Sequence, residues 1–185
     1  DGTEEWNWEI NVQDSEEVNA YCMPGGKVMI YTGLIEKTYA TDDEIAAVLG
    51  HEIAHALREH GRERMSTALV QQVGLIGFAV YIANHTDSRA ISETAVQAAV
   101  LGSTLFFALP NSREQEREAD KLGMELSARA GYNPVAAVSL WRKMDALSSA
   151  KVPEFLSTHP SNENRIADLT THAKKINQIY LDNKR

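Results

Sequence analysis

His51-Glu52-Ile53-Ala54-His55 constrains this chain more than any other stretch, because it asks one helix to carry two metal ligands and a base. On an α-helix, residues four apart share a face about 6 Å apart along the axis, so His51 and His55 can aim two imidazoles at one cation. Glu52 stands one position round, within reach of a water held by that cation. Three fixed positions recur by chance in roughly one window in 8,000, so the flanks must decide. Thr41-Asp42-Asp43-Glu44 has the form of a capping box with acids in the first turn, and Ile45, Val48, Leu49, Ile53 and Ala56 follow as an apolar stripe. From Leu57 to Arg64 the chain turns polar, which predicts a capped amphipathic helix about five turns long around the histidine pair.

Such a helix needs a core to lie on. The chain has 185 residues, 43% hydrophobic and 24% charged, which suits one soluble globular domain. A net charge of −8 offers no basic surface for nucleic acid or anionic lipid. Cys22 is the single cysteine, so no intrachain disulfide and no thiolate zinc cluster can form. The chain begins at Asp1 with neither an initiator Met nor a signal peptide, which predicts a piece of a longer product.

Ahead of the histidine helix, Trp6, Trp8, Ile10 and Val12 alternate with polar residues, predicting a strand with one buried face. Val18 to Met23, Pro24-Gly25-Gly26 and Lys27 to Tyr31 read as a hairpin, and Gly33 to Tyr39 as a short helix. An exposed edge of this small sheet is a candidate for binding substrate backbone as an added strand, beside the plainer role of scaffold. Residues 65–86 and 94–112 contain no Asp, Glu, Lys or Arg and are separated by a polar break at 84–89. Because Gln71, Gln72, Asn84 and Gln97 interrupt them, they predict helices that cover the core or rest on a membrane surface, in preference to a membrane-spanning hairpin.

A zinc ion held by two histidines of one helix needs a third protein ligand from elsewhere. In one class of zinc peptidase that ligand is a His ten residues after the first, with a Gly seven after it. Here those positions are Gly61 and Arg58, and His60 is one residue out of register. The remaining arrangement takes a Glu from a second helix, with an Asp one turn on to accept a hydrogen bond from a ligand imidazole. Ser112 and Gln115 have capping-box spacing, and the helix they open carries Glu116 and Asp120 on a face with Gly123, small enough for close approach to another helix. Glu114 and Glu118 are the other carboxylates to weigh, and a charged, solvated face is the competing reading. The stripe Val138, Leu140, Trp141, Met144 and Leu147 reads as core. His159, between Thr158 and Pro160 and just before Ser161 as the cap of the last helix, is either a surface residue or faces the metal. In the second case it donates to a developing oxyanion or fills the open position at rest. Tyr132 and Arg165 are secondary oxyanion candidates; His85 and His172 carry no assigned role.

Taken together, His51-Glu52-Ile53-Ala54-His55, Ser112-Arg113 with Glu116-Arg117-Glu118-Ala119-Asp120, Asn19-Ala20 with Pro24-Gly25-Gly26, and Ser157 to Ser161 with Arg165-Ile166 resemble the zinc metallopeptidase family of the CAAX prenyl protease and HtpX. The resemblance runs from about Trp6 to Ala167. It is strongest to soluble bacterial envelope members of the BepA and LoiP type and to the mitochondrial overlapping-activity protease. It implies a mainly α fold with a small β-sheet (α+β), a zincin-like catalytic domain over residues 1–185. It also implies one zinc ion on His51, His55 and Glu116, with Glu52 as general base. The polypeptide substrates implied are misfolded or membrane-associated envelope proteins. The implied setting is the bacterial periplasm or cell envelope, with peripheral membrane contact and no nucleic acid. The family's usual leading helix and any anchor segment do not match anything here.

The expected chemistry is hydrolysis of an internal peptide bond by a zinc-bound water that Glu52 deprotonates, with Asp120 orienting a ligand histidine. Two imidazoles and a carboxylate favour zinc over iron or manganese. A metal-stabilised chaperone or assembly module with a mostly closed site is the alternative, motivated by the apolar stretches, and a hydrolase of small amides is a more distant one.

Overall fold

A computed structural model describes residues 3–85, 93–94, 96–97, 111–148, 153–160 and 164–184. Two compact units emerge, one of Asp1–His60 with Asn111–Arg185 and the other of Gly61–Pro110.

In the first unit, strands β1 (Glu9–Gln13), β2 (Ala20–Met23) and β3 (Lys27–Tyr31) form one sheet in the order β1-β3-β2. The hairpin is present: β2 and β3 pair antiparallel, with Met23 opposite Lys27. Its turn places Gly25 and Gly26 at φ +88 and +82, conformations that only glycine adopts freely. β1 joins β3 in parallel, and all five of its residues are exposed, including Ile10 and Val12. The buried face expected of this strand is therefore not realised. In register, Ile10 and Val12 lie beside Val28 and Ile30, which are buried, but the helices pack on β2 and β3 and the edge strand extends past their cover.

Helix α1 (Thr32–Thr38) leads to α2 (Asp42–Leu57), which carries the histidine pair. The Thr41 capping box forms in full: Thr41 Oγ1 accepts from the Glu44 amide, and Glu44 Oε2 accepts from the Thr41 amide at 2.9 Å. Residues Arg113–Arg129 make the helix we call α4, opened by the Ser112–Gln115 box and stopped before Gly131 at φ +87. Then come α5 (Ala136–Ser148), α6 (Glu154–Thr158) and α7 (Arg165–Asn183). Leu34, Val48, Leu140, Met144, Phe155 and Leu169 form the centre of the core, so the stripe on α5 is core as read. The last helix starts at Arg165 with Asn164 before it, and Ser161 lies outside the described residues.

After α2 comes α3 (His60–His85), 26 residues and long and apolar enough to cross a membrane. It leaves Leu69, Val70, Val73, Ile76 and Phe78 exposed. Most of the second apolar stretch, 94–112, lies outside the described residues.

Candidate metal centre

Two helices build most of the site because they can come unusually close. A Cβ on Gly50 would stand 2.5 Å from the Gly123 carbonyl oxygen, and one on Gly123 would stand 2.6 Å from the His51 amide nitrogen. Side chains larger than hydrogen would hold α2 and α4 apart at this crossing. Ser127 ties it by donating from Oγ to the Ala46 carbonyl at 2.8 Å. Glu116 and Asp120 are thereby brought against His51 and His55. The fourth contributor arrives from a different part of the chain: α6 ends at His159, whose ring stacks on Phe155 with centroids 4.4 Å apart. The Asn111 amide donates to the Thr158 carbonyl at 3.0 Å and fixes this turn beside the start of α4.

His51, His55, Glu116 and His159 then converge, all buried. His55 Nε2 is 3.1 Å from His51 Nε2, and His51 Nε2 is 3.2 Å from His159 Nδ1. Glu116 Oε1 lies 3.2 Å from His55 Nε2 and 3.0 Å from His159 Nδ1, and Glu116 Oε2 lies 3.4 Å from His51 Nε2. Donors bound to a tetrahedral zinc at 2.0–2.1 Å stand roughly 3.3 Å from one another. The observed separations match that spacing. Neutral imidazole nitrogens and a carboxylate all present lone pairs to the centre, and a shared cation is what satisfies them together. The cluster fits one zinc ion.

The electrostatics agree. Burial would push the Glu116 carboxyl up, yet hydrogen bonds from His159, His51 and His55 hold it far below the usual carboxylate range, so it stays charged. Burial likewise pulls His51 down, but Asp120, with Oδ1 3.0 Å from His51 Nδ1, and Glu116 raise it to about 9. His55 is drawn down to about 3, chiefly by burial, against the hydrogen bond to Glu116 that would raise it. The carboxylates make the centre of the cluster negative, and a metal cation there would draw on the same charge. Burial pushes Glu52 up, partly offset by His159 and His51. Its Oε1 has no hydrogen-bond donor among the described residues, and His159 Nε2 is 3.4 Å away.

Thus His51, Glu52, His55, Glu116, Asp120 and His159, six residues named from sequence, meet in one place. Glu114 and Glu118 lie on the exposed side of α4. Tyr132 does not reach the centre: the neighbouring Asn133 amide donates to Asp43 Oδ1 at 3.0 Å, at the far end of α2, eight residues or about 12 Å along the helix from His51. Arg165 is close but turned to another task. Only 1% exposed, it donates from Nη2 to Asp120 Oδ1 at 2.7 Å, pairs through Nη1 with Glu116 Oε2 at 2.9 Å, and lies 3.4 Å over the Trp141 ring. It therefore sits behind the carboxylates, where an oxyanion donor has no access. Asn111, whose Nδ2 lies 3.3 Å from His159 Nδ1, receives no role from the sequence, and His60, which touches His55, is weighed there only as an out-of-register ligand; nothing local marks the partner of either.

A model of peptidase family M48 matches residues 2–173. The chain belongs to peptidase family M48. Among its M48 relatives, it is 38% identical over 175 residues to the mitochondrial metalloendopeptidase OMA1 of Bos taurus, covering 91% of this chain and 33% of that protein. To the OMA1 metalloendopeptidase of Saccharomyces cerevisiae it is 34% identical over 181 residues, 94% of this chain and 49% of the relative. The beta-barrel assembly-enhancing protease of Escherichia coli is 26% identical over 174 residues, 91% of this chain and 35% of that protein. This M48 chain therefore spans a third to a half of the curated relatives it matches.

Proposed function

We propose that this chain is the catalytic part of a zinc metalloendopeptidase that cleaves internal bonds of extended polypeptides, with His51, His55 and Glu116 as the resident metal's ligands. The observation that carries the reading is the convergence of three imidazole nitrogens and one carboxylate at 3.0–3.4 Å beside the buried Glu52 carboxylate. When bound, zinc supplies a Lewis acid that polarises a carbonyl and makes a water acidic. Glu52 takes the proton of the attacking water and returns it to the leaving amine; its raised pKa suits a group that must hold that proton between the two steps. Asp120 orients His51 through Nδ1, so that Nε2 keeps its lone pair for the metal. His159 would close the cluster at rest, its Nδ1 beside His51 Nε2 and Glu116 Oε1, and would have to give way to substrate.

The outer edge of β2 is the proposed seat for substrate backbone. β2 is a terminal strand of the sheet packed on α2, and Cys22 within it feels the charge of Glu52. Misfolded or membrane-associated envelope proteins as substrates, and a periplasmic or envelope location, rest on the likeness to the beta-barrel assembly-enhancing protease, whereas the OMA1 relatives are named as mitochondrial. The apolar exposed face of α3 supports contact with a membrane surface. A second reading, client binding with the site shut, draws on His159 and the same exposed face.

The deciding experiment is cleavage of an unfolded protein substrate with and without a zinc chelator. Glu52→Gln should keep zinc and lose cleavage, while Glu116→Ala should lose zinc. Substrate binding without chelator-sensitive cleavage, or undiminished proteolysis by Glu52→Gln, defeats the peptidase mechanism.

A further inference from the structure

His60 is buried, and nothing in the proposed chemistry uses it. It is put there by a deliberate break. α2 ends at Leu57, and Glu59 adopts φ +54, a left-handed conformation that non-glycine residues rarely adopt. This turns the chain so that His60, the first residue of α3, folds back on the last turn of α2. Its Nδ1 lies 2.9 Å from His55 Nδ1, and its Nε2 lies 3.3 Å from Glu118 Oε2. Glu118 is itself held by Arg58, whose Nε stands 2.8 Å from Oε1.

The proton positions along this chain are not free. His55 Nε2 faces the cluster and must keep a lone pair to act as a ligand, so its proton belongs on Nδ1. His55 Nδ1 then donates to His60 Nδ1, the His60 proton sits on Nε2, and that N–H donates to the Glu118 carboxylate. With a metal bound, the reverse assignment puts a proton on His55 Nε2 where a lone pair is needed and turns a His60 lone pair against a carboxylate, so it loses at both ends. Only one direction satisfies every atom.

We propose that His60, backed by Glu118, is a positioning residue that locks His55 in its Nε2-coordinating tautomer, as Asp120 does for His51. The inference rests on the reading of His55 as a metal ligand. It accounts for a carboxylate on the exposed side of α4 and for a strained residue between two helices, neither of which the reaction itself requires.

Zinc affinity, measured by competition with a fluorescent chelator, tests the idea without reference to activity. His60→Asn places an amide oxygen where Nδ1 stood and keeps an acceptor for His55; His60→Gln reaches Glu118 but not His55. We expect His60→Gln and His60→Leu to weaken zinc binding about 10- to 100-fold, the usual effect of losing such a partner, and His60→Asn to stay within about threefold of wild type. In the zinc-loaded wild type, two-bond 15N correlation spectra should show the His55 proton on Nδ1. Zinc binding that is equally tight in His60→Gln and His60→Asn overturns the proposal, as does a His55 proton on Nε2. His55→Ala is run alongside: unchanged zinc binding there overturns the ligand assignment and the relay with it. Loss in His55→Ala without loss in His60→Gln overturns the relay alone.

Discussion

Replacing Gly123 with Ala probes the claim that close approach of α2 and α4 makes the site. The new Cβ would meet the His51 amide nitrogen at 2.6 Å and the Gly50 carbonyl carbon and His51 Cα at 2.7 Å. Carbon contacts relax at roughly 3.5 Å, so α4 must retreat by about 0.9 Å. All three obstacles are backbone within a helix, which places the overpacking cost near the top of its usual range, about 3 kcal/mol. Alanine's better helix propensity returns about 1 kcal/mol, leaving a net loss of roughly 2 kcal/mol. For a chain of this length that corresponds to a fall in Tm of about 4–8 °C. The retreat carries Glu116 and Asp120 away from His51 and His55, and sites of this kind tolerate displacements of only about 0.5 Å. Zinc affinity should drop on the order of tenfold or more. Thermal unfolding in chelator gives the first quantity and chelator competition the second. Gly123→Ala with wild-type Tm and wild-type zinc affinity would refute the view that this crossing sets the ligand geometry.

Three other perturbations bear on the same site and its support. His159→Ala should retain zinc and raise basal cleavage several-fold if the residue closes the cluster at rest; a fall of about 100-fold in turnover would assign it instead to oxyanion stabilisation. Arg165→Met leaves Glu116 and Asp120 buried without their shared cation, and urea unfolding of the metal-free chain should show a loss of roughly 3–5 kcal/mol, with a loss below about 1 kcal/mol counting against the assigned anchoring role. Glu44 is buried and pulled down toward low pKa: burial alone would raise it, but Lys143 at 2.6 Å, Ser139 and the Thr41 amide outweigh that. Its folded pKa is below its unfolded value of 4.5, so its stabilisation is complete above that pH and disappears as pH falls through the folded pKa. The stability gap between wild type and Glu44→Gln should therefore be flat from pH 6 to 8 and close in acid; a gap that widens in acid contradicts the assignment.

What sequence could reveal follows the range of the interactions involved. The histidine pair, both capping boxes, the hairpin glycines and the Glu116–Asp120–Gly123 face all rest on contacts between residues at most four apart, whose geometry a helix or a tight turn imposes by itself. Each is seen in the structure. Strand β1 forms but leaves its apolar face exposed, because period-two alternation reports what a strand can bury, whereas the helix layer decides what it does bury. Arg165 offered the same ambiguity. A cation near the end of the chain reads equally well as an oxyanion donor or a buried anchor, and the packing of Trp141 beneath it with two carboxylates in front selects the anchor.

The amino-acid order by itself determined that one helix would present two imidazoles and a carboxylate on neighbouring positions, and that a second, glycine-bearing helix was available to meet it. Tertiary structure alone decided that His159 would close the cluster, that Arg165 would stand behind its carboxylates, and that His60 would turn back onto His55. Those partners lie 5 to 108 residues from the groups they touch, and no local backbone period relates them. They meet because the apolar faces of α2, α5 and α7 are buried in one core with residues of α4, which carries the polar edges of these helices together.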